Sequence, residues 1–197
     1  MKIGIIGAGA IGTTIAKHVT AAGYDVIISN SRGAGTLTEK IKEIGGGIIA
    51  GSVQEAAEAD VVFLAVRWEH AQEALSGISL EGKILVDVTN AGLPEFVRAE
   101  PGSKTSSEVV SQWATGAKVV KAFNTLYANV LAQNPRADGG NRVIFYSGND
   151  DGAKEVVAGI IDRIGFAGID LGNLHEGGKL QRFPGGPLPT QNLIKVK

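Results

Sequence analysis

The 197-residue chain contains no cysteine, which excludes disulfide bonds, thiolate nucleophiles and thiolate metal ligands. Its three histidines, His18, His70 and His175, are far apart and lack the spacing of a metal site, so we expect no protein-bound metal. Neither sign of charge predominates: 19 basic and 20 acidic residues give a formal net charge of −1, and no segment concentrates lysine or arginine. Binding to nucleic acid therefore has no electrostatic basis.

Long hydrophobic runs are also missing, because no stretch approaches the roughly 20 apolar residues that span a bilayer. The start of the chain, Lys2 followed by apolar and then small residues, superficially resembles a secretory signal. It is too rich in glycine for one, and it contains a nucleotide-binding motif that cleavage would destroy. We therefore expect no membrane partner and a cytoplasmic location.

What the sequence does contain is a Gly-x-Gly-x-x-Gly motif, placed between an apolar run at 2–6 and a helical pattern at 13–22. After a strand and before a helix, this motif is typical of a dinucleotide-binding site. The first glycine permits the tight turn, the second lets a pyrophosphate approach bare backbone, and the third lets helix and strand pack closely. We expect the phosphates at the positive end of the helix, bound by Gly7, Gly9, Ala10, Ile11 and Gly12.

Short apolar runs alternate with helical patterns along most of the chain. Strands are predicted at 2–6, 25–29, 48–50, 61–66, 83–88, 118–122, 142–146 and 166–171. Several of these runs are continuously apolar, as in parallel strands covered by helices on both faces. Capping boxes are predicted at Thr36/Glu39, Ser52/Glu55 and Thr105/Glu108. Residues 1–171 are therefore predicted to form an α/β domain of Rossmann type, with a doubly wound, mostly parallel sheet between two helical layers.

Residues 172–197 form a Gly/Pro-rich C-terminal tail that also carries apolar side chains, among them Leu180, Phe183 and Leu188. This apolar content is too high for a solvated linker. Three arrangements stay open: the tail folds over the sheet edge, closes the active site as a lid, or packs on a second subunit. Because burial on a symmetry-related copy would build an acceptor site without a second domain, we expect a homodimer.

The second strand ends without an acidic residue, which bears on the choice of nucleotide. NAD-binding sites carry a carboxylate there for the ribose hydroxyls, and it would repel a 2′-phosphate. Here Asn30, Ser31 and Arg32 follow the strand. Ser31 can donate a hydrogen bond to a phosphate, and Arg32 can bind it through its planar fork. We predict NADP(H) rather than NAD(H); the alternative leaves Arg32 as a solvated loop residue.

The usual proton donors of carbonyl reductases are missing, because no tyrosine is followed by a lysine four positions later. A ketone or imine needs such a donor, whereas a planar redox cofactor mainly needs to be held against the nicotinamide. Ligands of this fold bind at the carboxyl ends of the strands, here near Trp68, His70, Asn90 and Asn124. His70 and Asn124 are the candidate catalytic residues. A core position for Trp68, a solvated helical turn for His70 and a helix cap for Asn124 are the alternatives.

Four segments together resemble the deazaflavin (coenzyme F-420)-dependent NADP oxidoreductase family: 7–12, 30–32, 55–71 and 119–125. Segments 121–125 and 146–150 are also similar to the cytosolic nucleotide domain of the six-transmembrane metalloreductases. The resemblance extends to about Leu171. It implies hydride transfer between NADP(H) and a flavin-like acceptor, such as coenzyme F-420, FMN or FAD. With the resemblance included, the expected cofactor-binding residues are Gly7, Gly9, Ala10, Ile11, Gly12, Asn30, Ser31, Arg32, Val66, Trp68, His70, Asn90 and Ala128.

The chain departs from the family at three places. Arg67 stands where the family often has proline, Asn124 stands where the deazaflavin enzymes can carry histidine, and 33–36 lacks a further basic residue for the phosphate. Two other functions therefore stay open. One is an NADPH-dependent reductase of a small carbonyl or imine, with water or His70 relaying the proton. The other is a non-catalytic redox sensor that binds NADP(H).

Overall fold

The computed structural model describes residues 1–92 and 103–196. The strands are β1 (Lys2–Ile6), β2 (Asp25–Ser29), β3 (Ile49–Gly51), β4 (Val61–Leu64), β5 (Ile84–Asp87), β6 (Lys118–Ala122), β7 (Arg136–Ala137), β8 (Gly140–Gly148), β9 (Ala167–Asp170) and β10 (Ile194–Val196). The helices are α1 (Ala10–Ala21), α2 (Thr38–Ile44), α3 (Val53–Ala57), α4 (Ala71–Leu75), α5 (Ser106–Trp113), α6 (Ala128–Leu131), α7 (Asp151–Arg163) and α8 (Leu174–Gln181). Two short 3₁₀ turns cover Ala34–Leu37 and Trp68–His70.

The described strands form one sheet in the order β10-β8-β6-β5-β4-β1-β2-β3, with β7 and β9 also paired to β8. The six strands from β3 to β6 are parallel, β8 runs antiparallel to β6, and β9 is parallel to β8. The order 3-2-1-4-5-6 is that of a doubly wound dinucleotide-binding sheet, so the predicted fold class is confirmed. The strand order reverses between β1 and β4, and their carboxyl ends open the crevice in which such folds bind ligands.

Two apolar layers cover the sheet, because successive side chains of a buried strand face opposite sides. Phe63 of β4 lies in one layer with residues of α1 and α7. Val62 and Leu64 lie in the other layer with residues of α3, α4 and α5. This two-sided burial explains the continuously apolar runs of the central strands. Among the helices of the described residues, none is long and apolar enough to cross a membrane.

Two of the three predicted capping boxes are confirmed. The side chains of Ser52 and Glu55 cap α3, and those of Thr105 and Glu108 cap α5. The third prediction is wrong, because α2 begins at Thr38 and its N-cap residue makes no side-chain cap. The Thr36 hydroxyl instead donates to the Gly33 carbonyl oxygen at 2.8 Å, inside the 3₁₀ turn.

The tail folds onto the sheet of its own chain. It contributes α8 and then β10, which pairs antiparallel with the start of β8. Between these elements, the Thr190 N–H donates to the Thr125 carbonyl oxygen at 2.7 Å. Pro184 lies near Gly92, since a Cβ built on that glycine would be 3.9 Å from the proline Cδ. Residues 182–190 therefore lie against the segments that follow β5 and β6.

Candidate dinucleotide site

The loop between β1 and α1 depends on two glycines for packing. Gly7 has a φ of 113°, and a Cβ built there would lie 2.4 Å from the Ala65 carbonyl oxygen and 3.0 Å from Val66 Cγ1. A Cβ on Gly12 would lie 2.0 Å from the Gly7 carbonyl oxygen. The two contacts with carbonyl oxygens, at 2.4 and 2.0 Å, are closer than a carbon atom allows. These glycines therefore let the loop, α1 and the end of β4 pack closely, and they place Val66 against the loop.

Gly9 differs from its neighbours, because a Cβ built there would meet no atom within 4 Å. It is the N-cap residue of α1, and neither a capping side chain nor an acidic residue serves the first turn. The N–H groups of Ala10, Ile11 and Gly12 begin the helix and have no intrahelical acceptor. Open space in front of free N–H groups at the positive helix end fits a diphosphate. The residues present therefore fit a bound dinucleotide.

The loop after β2 is held by Asn30. Its Oδ1 accepts from the Arg32 N–H at 2.9 Å, and its Nδ2 donates to the Thr36 hydroxyl at 2.9 Å. The side chains of Ser31 and Arg32 are exposed, and within the described residues they make no hydrogen bond or ion pair. Asn30 thus shapes the loop from within, while Ser31 and Arg32 stay available to a ligand.

Lys40 of α2 is a site residue that the sequence analysis missed. Its Nζ donates to the Ala8 carbonyl oxygen at 2.8 Å, which places an ammonium group on the glycine loop. A lysine ammonium has three donor hydrogens, so two remain after this bond. Sequence alone gave no sign of this contact, because it depends on how the short helix after β2 turns towards the loop.

The carboxyl ends of β5 and β6 are joined by a buried ion pair. Lys121 Nζ lies 3.1 Å from Asp87 Oδ2, with the two side chains 1% and 0% exposed. Lys121 also donates to the Thr89 carbonyl oxygen at 2.9 Å, and the Ser107 hydroxyl donates to Asp87 at 2.5 Å. The Thr89 N–H and hydroxyl both donate to Asp87 Oδ1, at 2.9 and 2.7 Å. This network fixes the segment leading to Asn90.

Asn90 and Asn124 are brought together as a hydrogen-bonded pair. Asn90 Nδ2 donates to the Asn124 carbonyl oxygen at 3.0 Å, and Asn124 Nδ2 donates to Asn90 Oδ1 at 2.9 Å. Phe123, just before Asn124, has a φ of 63°, which is unusual for a residue with a side chain. Next to the pair, the buried Thr125 hydroxyl has no hydrogen-bond partner among the described residues. Backbone strain and unsatisfied polar groups of this kind concentrate at binding sites.

The other predicted residues lie around the same edge of the sheet. The Trp68 ring packs on Trp113 of α5, with ring centroids 5.0 Å apart. His70 ends the 3₁₀ turn after β4; it is exposed, and its imidazole makes no hydrogen bond within the described part of the chain. Ala128 is the first residue of α6. No described contact links His70 to Asn124, so their catalytic roles stay predictions.

The remaining two histidines make contacts that do not involve these residues. His18 Nε2 lies 2.7 Å from the Leu131 carbonyl oxygen, and its ring meets Phe166 edge-on. His175 Nδ1 lies 3.0 Å from Glu108 Oε2. Burial alone would raise the pKa of the Glu108 carboxyl, but hydrogen bonds from the Thr105 N–H and from His175 outweigh it and lower that pKa. Both histidines join helices of the scaffold.

Comparisons with known proteins agree with this geometry. Residues 2–91 match the model of a family described as NADP oxidoreductase, coenzyme F420-dependent. Over 194 residues the chain is 29% identical to metalloreductase STEAP3 of Rattus norvegicus, a match that covers 96% of this chain and 37% of that protein. The chain thus spans well under half the length of this curated relative.

Two crystal structures are similar over most of the chain. A hypothetical protein from Sinorhizobium meliloti is 43% identical with a TM-score of 0.90, covering 99% of this chain and 96% of that one. A putative F420-dependent NADP reductase from an Arthrobacter species is 27% identical with a TM-score of 0.72, covering 92% and 89%. Residues 2–91, a little under half of the chain, therefore resemble the family of coenzyme F-420-dependent NADP oxidoreductases, as the sequence motifs predict.

Proposed function

We propose that the chain is an NADPH-dependent oxidoreductase that transfers hydride between NADP(H) and a flavin-like acceptor, coenzyme F-420 or a flavin. The observation that carries this proposal is the bare N-terminus of α1 beside a β2 end that has no acidic residue. The first feature fits a diphosphate, and the second admits a 2′-phosphate that a carboxylate would repel. The match of residues 2–91 to the model of an NADP oxidoreductase family supports the same coenzyme.

Three elements would hold the phosphates. The backbone at Gly9, Ala10 and Ile11 faces the diphosphate. Ser31 and Arg32 bind the 2′-phosphate from the loop after β2. Lys40, anchored on the glycine loop at 2.8 Å, adds a second positive charge in place of the basic residue that 33–36 lacks. Since each charge-assisted hydrogen bond contributes about 1.5–3 kcal/mol, these contacts account for coenzyme selection without a dedicated pocket.

The nicotinamide end would lie beside the Asn90–Asn124 pair, between Val66 and Ala128. When bound, NADPH supplies the hydride, and the protein orients it and shields it from water. The Asn90 and Asn124 side chains are held by hydrogen bonds within the chain, which suits them to positioning rather than proton transfer. A flavin-like acceptor needs little from the protein beyond positioning, because its own ring system accepts the hydride.

The coenzyme assignment is tested by Arg32→Ala with NADPH and NADH titrated separately by calorimetry. Loss of the guanidinium is expected to weaken NADPH about 10- to 150-fold while NADH binding changes little. Arg67→Ala is the matched control, because Arg67 is exposed after β4 and its guanidinium pairs with Glu69 at 2.6 Å. Equal losses for both nucleotides in Arg32→Ala would contradict the assignment.

To identify the acceptor, NADPH oxidation is followed by the loss of NADPH absorbance while one candidate acceptor at a time is supplied. The candidates are deazaflavin, FMN, FAD, ferric chelates and small ketones or imines. Turnover confined to the flavin-like acceptors supports the proposal. Turnover of only a carbonyl or imine would contradict the proposal and identify a reductase of small carbonyl or imine substrates. His70→Ala would then test the proton relay. NADPH binding without turnover of any acceptor would point to a redox sensor.

We further propose that the tail, 172–197, acts as a lid over the acceptor side and that the enzyme works as a homodimer in the cytoplasm. The contacts of Thr190 with Thr125 and of Pro184 near Gly92 support the lid. Sedimentation of the active enzyme tests the dimer, and a fully active monomer would contradict it. Cell fractionation tests the location.

A further inference from the structure

Gln181, the last residue of α8, is a fully buried amide at the end of the tail helix. Its Oε1 accepts from the Ser147 hydroxyl at 2.7 Å, and its Nε2 donates to the Phe145 carbonyl oxygen at 3.1 Å. The same Nε2 also lies 3.3 Å from Asn124 Oδ1 and 3.4 Å from the Lys121 carbonyl oxygen. A buried amide is costly unless it is satisfied, and this one is satisfied by the ends of β6 and β8.

Asn124 is held by Gln181 from both sides of its amide group. Asn124 Nδ2 donates to the Gln181 carbonyl oxygen at 2.7 Å and to Asn90 Oδ1 at 2.9 Å, so both of its hydrogens are used. Its Oδ1 accepts from Gln181 Nε2. Because the pairing fixes which end of the amide is oxygen, the tail determines the orientation that Asn124 presents to Asn90.

Gln181 also brackets the strained turn at Phe123. It contacts Lys121 and Asn124, the residues that lie two positions before and one position after Phe123. A left-handed conformation of a bulky residue is strained, and it persists only where the surroundings over-determine it. The hydrogen bonds of Gln181 provide that constraint from outside the strand.

We propose that Gln181 is a positioning residue for the nicotinamide half of the site, acting through the Asn90–Asn124 pair. The inference rests on the proposed binding of NADP(H). It makes the tail a structural part of that half of the site, since α8 carries Gln181 into the sheet edge. The phosphate half, built on α1 and the loop after β2, makes no described contact with Gln181.

The test compares two ligands by calorimetry: NADPH, and 2′-phospho-ADP-ribose, which lacks the nicotinamide. Gln181→Glu keeps the side-chain size and the oxygen that accepts from Ser147, but it replaces the Nε2 donor to Asn124 and Phe145 with a carboxylate oxygen. It is expected to weaken NADPH about three- to tenfold and to leave the fragment unchanged, because one hydrogen-bonding contact contributes about 0.5–1.5 kcal/mol. Ser147→Ala, a milder change that only loosens the Gln181 anchor, is expected to act in the same direction to a smaller extent.

Asn173→Ala is the matched control. Asn173 is the N-cap of the same helix, and its Oδ1 accepts from the Glu176 N–H at 2.8 Å. The substitution removes this cap and leaves Gln181 in place. Any of three results would overturn the inference. The Gln181 and Ser147 variants could lose affinity for both ligands equally, Asn173→Ala could lose as much affinity as they do, or the NADPH affinity of the Gln181 and Ser147 variants could be unchanged. So would wild-type protein that binds NADPH no more tightly than the fragment. Wild-type protein that binds neither ligand would instead refute the proposed function.

Side-chain amide signals in NMR spectra of the ligand-free protein give a second readout. In wild type, the Asn124 amide hydrogens should exchange slowly with solvent, because both are bonded and buried. Faster exchange at Asn124 in Gln181→Glu, with Asn141 as an internal reference, supports the positioning role. Unchanged exchange at Asn124 would contradict it whatever the ligands do.

Discussion

Alanine substitutions at two glycines of one motif should separate ligand binding from folding. In Gly12→Ala, the new methyl would lie 2.0 Å from the Gly7 carbonyl oxygen and 3.3 Å from Ala65 Cβ. The loop would have to move by more than an ångström, and overpacking of this kind costs about 1–3 kcal/mol or more. We expect Gly12→Ala to lower the free energy of unfolding by at least that amount.

Gly9→Ala should fold normally and bind poorly. The backbone at Gly9 has a φ of −76° and a ψ of −173°, which alanine adopts, and the methyl meets no atom within 4 Å. The small penalty for alanine at an N-cap is offset by about 0.4–1 kcal/mol from the restricted unfolded chain, so stability should change by less than about 1 kcal/mol. The methyl would occupy the space in front of the free N–H groups, and losing one such contact weakens NADPH about 10- to 150-fold.

Urea unfolding measures the free energy of unfolding of each variant, and calorimetric titration with NADPH measures its binding affinity. Gly12→Ala should be less stable than wild type, whereas Gly9→Ala should be as stable as wild type but defective in NADPH binding. Wild-type affinity in Gly9→Ala would mean that no diphosphate approaches this backbone. Wild-type stability in Gly12→Ala would mean that the close packing of α1 on the loop is not as described.

Two further predictions concern buried and half-buried charges. Lys121→Met leaves the buried Asp87 carboxylate without its counter-charge, so urea unfolding should show a loss of about 3–5 kcal/mol. Lys118→Met on the same strand, where the side chain is 48% exposed, should cost less than about 1 kcal/mol. If the two losses were equal, the buried pair would not be the cause. The second prediction rests on the pKa of Glu108, which in the folded chain lies below its ordinary 4.5. The stability that this carboxylate contributes is present above pH 4.5 and is lost as the pH falls through the folded pKa. In Glu108→Gln, the melting temperature should therefore fall less steeply with decreasing pH below about pH 4.5 than in wild type. Glu155→Gln on α7 is the control, and an equally steep acid limb in Glu108→Gln would argue against the hydrogen bonds from Thr105 and His175.

The parts of the fold that follow local rules were predictable from the sequence. Continuous apolar runs gave the central strands to within one or two residues, because burial on both faces leaves no room for polar side chains. The capping boxes of Ser52 and Thr105 formed where serine or threonine precedes the helix directly. The capping box predicted at Thr36 does not form, because the Thr36 hydroxyl donates to the Gly33 carbonyl oxygen in the 3₁₀ turn instead. Sequence spacing does not reveal such competition between local hydrogen bonds.

The parts of the site that were missed depend on contacts distant in sequence. Lys40 reaches Ala8 across 32 positions, and Gln181 reaches Asn124 across 57. Neither residue belongs to a motif, since any lysine on a surface helix and any glutamine in a tail look alike in sequence. The tail was predicted to pack through its apolar side chains, yet Leu180 and Leu193 are 39% and 41% exposed. What determines its role is a polar side chain at the end of α8, which hydropathy analysis counts as exposed.

These missed contacts suggest how the two halves of the site divide the work. The phosphate half is built from bare backbone, from the exposed Arg32, and from Lys40, which keeps two donor hydrogens beyond its bond to Ala8. The half beside Asn90 and Asn124 is the reverse: its amides are buried or half-buried, they are paired with one another, and Asn124 is bonded to the tail. A preorganised polar network of this kind resists rearrangement, because each broken bond leaves a buried group unsatisfied. Affinity would therefore come mainly from the phosphate half, and the geometry of hydride transfer from the half that the tail completes.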